Sequence, residues 1–152
     1  MNLIIPYMVH LKLAAYVNAT DCEVSGLGTI SGDKLRIDNV YLIEQKVSHT
    51  ETELDAQGLA KFLGDWIKQG QDTERIKLWW HSHGNMKVFW SNTDDKTCKK
   101  LTESWMIALV TNYKGDYLAR LELREPFNLS VDIDVKVEMP TSRKIEEAAK
   151  VE

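Results

Sequence analysis

Between Pro6 and Asn18 the apolar residues Met8, Leu11, Ala15 and Val17 recur at near-helical spacing, and Pro6 suits the first turn. That spacing predicts a helix. Two strands are expected next, from Glu23 to Ile30 and from Leu35 to Ile43. In the second, Leu35, Ile37, Asn39, Tyr41 and Ile43 fall on one face. The Ser31-Gly32-Asp33 step between them reads as a hairpin turn. The clearest helix runs from about Thr52 to Gln69. Leu59, Phe62, Leu63, Trp66 and Ile67 form its apolar stripe, and Gly70 stands where a C-terminal cap belongs.

Arg75 to His81 reads as a strand with Leu78 and Trp80 on one face and Trp79 on the other. Apolar both ways, it predicts a central strand covered on both sides. A short helix should start at Thr93 or Asp94 and end at Leu101. Three strands are expected after it: Trp105 to Thr111, Tyr117 to Leu123, and the alternating Leu129, Val131, Ile133, Val135, Val137, which would complete the sheet or pair with another chain. The order of elements predicts an α/β protein, a single-domain mixed β-sheet sandwiched by helices. The domain is expected over residues 1–139, with a charged, flexible tail at 140–152.

Composition narrows the function classes. Nineteen Lys and Arg against 23 Asp and Glu give a net charge of −4, the wrong balance for a nucleic-acid partner. No apolar run approaches the roughly 20 residues that span a bilayer, so no membrane partner is expected. Met1 to Pro6 lacks the basic and long apolar regions of a secretory signal. Two cysteines, Cys22 and Cys98, make no disulfide framework. The expected setting is cytoplasmic.

The stretch from His81 to Asp94 carries the chemistry. His81 and His83, two apart on an extended segment, project from one side and can reach one metal ion. Asp94, at the start of a helix that folds back, can add a carboxylate oxygen. Two imidazoles and a carboxylate suit Zn²⁺, one per chain, and leave a fourth position for water. Hydrolysis also needs a base. Glu23 is a candidate, but spacing alone does not separate it from Glu44, Glu51 or Glu53. Ser91 could donate to an oxyanion, or simply cap the helix.

These residues bring the chain to a family. It resembles the JAB/MPN metalloproteases bearing the JAMM motif: Glu, then His-Ser/Thr-His, seven residues, Ser, two residues, Asp. Here the series is Glu23, His81-Ser82-His83, Gly84 to Trp90, Ser91, Asn92-Thr93, Asp94, with Gly26 three residues after the glutamate. The resemblance implies the JAB/MPN (cytidine-deaminase-like) fold. It implies His81, His83 and Asp94 as zinc ligands, Glu23 as general acid/base and Ser91 as oxyanion stabiliser. It also implies hydrolysis of an isopeptide or peptide bond after the C-terminal tail of a ubiquitin-like protein. The chain passes straight from Asp94 into helix and strand, so the family's second insertion would be absent or minimal, and Gln45 to Glu53 would be a short first one. That compactness is similar to prokaryotic and phage-encoded members. Alternatives are a sulfur-carrier substrate, peptide cleavage in phage assembly, and a non-catalytic MPN-type scaffold.

Other features have plainer readings. Trp66, Trp79, Trp80 and Trp105 are expected in the core, whereas Phe89 and Trp90 would wall the site or touch a substrate tail. Both cysteines are expected as buried thiols. His10 and His49 lack metal-spaced partners, and Lys96, Lys99 and Lys100 read as a solvated helix face.

Overall fold

The computed structural model describes residues 1–21, 23–31, 34–43 and 56–140. Within them the chain runs β1 (Asn2–Ile5), α1 (Tyr7–Asn18), β2 (Ser25–Ser31), β3 (Arg36–Leu42), α2 (Ala56–Lys68), a 3₁₀ turn (Thr73–Arg75), β4 (Ile76–Ser82), α3 (Asn92–Leu101), β5 (Trp105–Thr111), β6 (Tyr117–Leu123) and β7 (Leu129–Val137). The hairpin loop at Gly32, the Gln45–Glu53 segment and the tail from Thr141 lie outside the described residues.

The seven strands close into a barrel in the order β1-β3-β2-β4-β5-β6-β7. This corrects the expected fold class: the protein is not a mixed sheet sandwiched by helices of the JAB/MPN type, but a closed barrel with three short helices among the described residues. The reason lies in β1. Its four residues, Asn2-Leu3-Ile4-Ile5, are too short a run to show a period, yet they supply the closing strand. Leu3 pairs with Val135 and Ile5 with Val137 in parallel register, and Ile4 stands beside Arg36 of β3. β7 therefore completes the sheet between β6 and β1.

Two bulges add twist to the strands nearest the site. Thr29 faces Asn39 while Ile30 faces Ile37, so Asp38 is the extra residue in β3. Gly28 faces Leu78 while Thr29 faces Ile76, which leaves Lys77 as the extra residue in β4. The first bulge splits the face expected to carry Leu35, Ile37, Asn39, Tyr41 and Ile43. Leu35 and Ile37 pack in one apolar cluster, Tyr41 and Ile43 in the other.

The first cluster joins Leu3, Ile5, Leu78, Trp80, Ile107 and Leu109 to Val9, Leu13 and Val17 of α1. Of the helical stripe read from Met8, Leu11, Ala15 and Val17, only Val17 is buried; Met8 is 73% exposed, and Leu11 and Ala15 are exposed as well. Apolar residues lie all round this helix, so its period has no unique phase. The second cluster joins Leu27, Trp79, Met106 and Ala108 to Trp66 of α2 and Cys98 of α3. β4 is therefore covered on both faces, as its sequence predicts, although Ile67 of the expected α2 stripe is exposed. Gly70 ends α2 with φ +75°, and the Gln71 N–H reaches back to the Trp66 carbonyl at 3.1 Å.

Candidate metal centre

The centre forms where β4 ends. His81 is the next-to-last residue of β4, opposite Ser25 of β2 and beside Val110 of β5. The strand then turns sharply at Gly84, whose φ of +62° is open to glycine at little cost. The Gly84 N–H donates to Ser82 Oγ at 3.0 Å, and the Met86 N–H donates to the His83 carbonyl at 3.1 Å. After the irregular stretch to Trp90, Ser91 caps α3. Its Oγ accepts from the Asp94 N–H at 3.1 Å, and its own N–H donates to Asp94 Oδ2 at 2.9 Å. This capping box turns the Asp94 carboxylate back over the strand end.

Three donors then converge. His81 Nε2 lies 3.2 Å from His83 Nε2 and 3.1 Å from Asp94 Oδ1, and His83 Nε2 lies 3.3 Å from Asp94 Oδ2. Ligands about 2.0–2.1 Å from a tetrahedral metal stand about 3.3–3.4 Å apart, and each contact here is close to that length, the carboxylate turning one oxygen to each imidazole. The chemistry of the donor set points the same way. With the His83 Nδ1–H donating to the Lys87 carbonyl at 3.1 Å, the neutral ring turns a lone pair, not a proton, toward Asp94. A metal ion fills the space between those lone pairs, and without one a proton on Nε2 pairs with Asp94 instead, which is why the contact raises His83 and lowers Asp94. His81 Nδ1 is buried and has no hydrogen-bond partner among the described residues.

Burial and charge divide the titrations. Burial pushes His81 below its ordinary value, against the pull of Asp94. Burial also acts to lower His83, but the Asp94 contact, the Lys87 carbonyl and the negative charges of Asp94 and Glu23 together raise it. Burial would raise Asp94; the two imidazoles and the Ser91 N–H outweigh it and hold the carboxyl well below the usual carboxylate range.

Glu23 is 8% exposed, and its charge is felt at His83. It stands two residues before Ser25, the partner of His81, just ahead of β2. The other glutamates weighed against it, Glu44, Glu51 and Glu53, lie outside the described residues. All five residues singled out in the sequence are described: His81, His83 and Asp94 converge, Glu23 flanks them, and Ser91 holds Asp94. Ser91 has the plainer role of helix cap, and an oxygen that accepts a bond still has its O–H to give.

Aromatic rings pack against both imidazoles. Trp79 stacks on His81 with centroids 4.4 Å apart, and Phe89 meets His83 edge-on at 4.5 Å. Trp90 is half-buried, 6.1 Å from His81, beneath the Arg120 guanidinium at 4.4 Å. The role of Trp79 was readable, since it precedes His81 by two on a strand and so shares its face. Nothing local marks Arg120. Cys98 is a buried thiol pushed up to about 11, chiefly by burial, and His10 contacts the Tyr117 hydroxyl at 2.7 Å rather than any metal-type partner. Cys22 and His49 lie outside the described residues. Among the described residues no helix is long and apolar enough to cross a membrane.

No protein-family model matches the chain. No curated protein matches it either. Among solved structures, the chain is similar to the solution structure of protein DSY2949 from Desulfitobacterium hafniense. The two are 15% identical, with a TM-score of 0.63 over 94% of this chain and 97% of that one. At that identity the likeness shows the fold alone.

Proposed function

We propose that the chain is a zinc-dependent peptidase or isopeptidase using the JAMM set of residues, with His81, His83 and Asp94 as metal ligands. The observation that carries this is the convergence of the two Nε2 atoms, 3.2 Å apart, on the Asp94 carboxylate, whose Oδ1 lies 3.1 Å from His81 and Oδ2 3.3 Å from His83. When bound, zinc supplies Lewis acidity toward a water and a scissile carbonyl. The remaining work belongs to the protein. Glu23 takes the proton from the attacking water and returns it to the departing amine. Ser91 holds Asp94 in place, and its O–H would donate to an oxyanion. Phe89 and Trp90 wall the centre against water.

The substrate proposed is the C-terminal tail of a ubiquitin-like or sulfur-carrier protein, which rests on the motif and not on the barrel. Peptide cleavage in phage assembly keeps the same chemistry with another substrate. Neither nucleic acid nor membrane is proposed as a partner, and a reducing cytoplasmic setting suits the free, buried Cys98 thiol. The test is Glu23→Gln. It should keep zinc and lose turnover by about 10²- to 10⁴-fold on a ubiquitin-like protein fused through its C-terminus to a reporter. Full turnover with zinc still bound would remove Glu23 from the mechanism. Zinc binding by wild type with no cleavage of any such fusion would favour the scaffold alternative.

A further inference from the structure

The turn between β5 and β6 touches both halves of the centre. On the metal side, the His83 N–H donates to the Thr111 carbonyl at 2.9 Å and the Tyr113 N–H to the Gly84 carbonyl at 2.8 Å. Asn112, 4% exposed, donates from Nδ2 to the Met86 carbonyl at 3.1 Å. Its Oδ1 accepts from the N–H groups of Lys114 and Asp116 at 3.0 and 3.1 Å, which closes the turn on itself. These bonds fasten the loop that follows His83.

The Tyr113 side chain reaches the other way. Its O–H donates to the Thr20 carbonyl at 2.9 Å, across 93 residues of sequence. Thr20 follows α1 and precedes Glu23 by three residues. Glu23 itself stands ahead of the first residue of β2, and the carbonyl of the residue after it, Val24, accepts from the Ser82 N–H at 2.8 Å. A single residue thus reaches the metal loop through its backbone and, through its hydroxyl, Thr20, three residues before Glu23.

We propose that Tyr113 is a positioning residue that sets the reach of Glu23 to the metal centre; this rests on the reading of Glu23 as acid/base. A hydroxyl that only stabilised the fold would act whatever stood at position 23. One that works through Glu23 loses its effect once Glu23 is disabled.

The test uses the full chain loaded with Co²⁺ and read by visible absorption, with acetohydroxamate as probe, because a hydroxamate chelates the metal and shares a hydrogen bond with an adjacent carboxylate. Tyr113→Phe keeps the ring over Gly84 and removes only the O–H. It should melt cooperatively like wild type and take up Co²⁺ with affinity within about twofold, since no ligand is touched. It should weaken acetohydroxamate by about threefold to tenfold, the size of one hydrogen bond. Glu23→Gln should weaken the probe at least as much, and the double variant no further than Glu23→Gln alone. Equal weakening by Tyr113→Phe in both backgrounds, or none in either, overturns the role of Tyr113 and leaves the metal reading intact. Absence of cobalt uptake by wild type overturns the metal reading and this inference with it.

Discussion

Ser91 and Asp94 hold each other by reciprocal bonds, Asp94 N–H to Ser91 Oγ at 3.1 Å and Ser91 N–H to Asp94 Oδ2 at 2.9 Å. The helix cap and the ligand orientation are therefore one feature. Ser91→Ala should cost about 1 kcal/mol of stability as a lost cap and weaken zinc by about tenfold as a lost orienting partner. Ser91→Thr should restore both. Urea melts and competition with a chromophoric chelator check the two effects; lost stability with unchanged zinc affinity would show that the cap does not orient the ligand.

Asp94 gives the zinc-free protein a pH dependence of known sign. Burial alone would raise its carboxyl, but His81 and His83 hold it well below the ordinary value of 3.8. As the pH falls past that value the unfolded chain takes up a proton that the folded chain still refuses, so stability rises with pH in this window. The contribution is complete above the ordinary value and disappears as the pH falls through the folded one. Denaturation of zinc-free wild type and Asp94→Asn across acidic pH should show a steeper loss in wild type. Parallel curves would contradict the assignment.

Gly26, three residues after Glu23, has a packing reason to be glycine. A Cβ there would lie 1.9 Å from the Tyr41 carbonyl oxygen and 2.7 Å from the Trp80 ring, which is fully buried. The backbone oxygen belongs to the β2–β3 ladder and cannot retreat cheaply. Gly26→Ala should therefore cost about 3 kcal/mol or more, at the upper end of overpacking. A melting temperature within a few degrees of wild type would contradict the close approach.

Arg120 links the centre to the barrel wall. It pairs with Glu122, whose side chain is 2% exposed, reaches Asp95 at 2.8 Å, and lies over Trp90. Arg124 also reaches Glu122, at 3.3 Å. Arg120→Met should cost about 3 kcal/mol, because Glu122 stays buried with one partner gone. Adding Glu122→Met should recover much of that loss. Equal loss in single and double variants would show that packing on Trp90, not the charge pair, is what Arg120 contributes.

What was legible in the sequence divides by range. Alternation placed β5, β6 and β7 at their observed bounds, and the cluster of His81, His83 and Asp94 was legible because the chain from His81 to Asp94 is local and its spacing is set by one strand, one loop and one cap. The closure of the barrel was not. β1 is four residues long, and its pairing with β7 spans nearly the whole chain, so no window of periodicity contains it. The bulge at Asp38 reversed a face that strict alternation would keep, and α1 was too evenly apolar to show its buried side. Glu23 and Tyr113 reach the centre through pairings far apart in sequence. Only the motif singled out the first, and nothing singled out the second.

The central claim is that His81, His83 and Asp94 form a zinc site. Zinc per chain in purified wild type beside His81→Ala, by elemental mass spectrometry, tests it most directly. About one zinc in wild type and little in the variant is the predicted result. Wild type that holds no zinc after incubation with it at neutral pH would contradict the account.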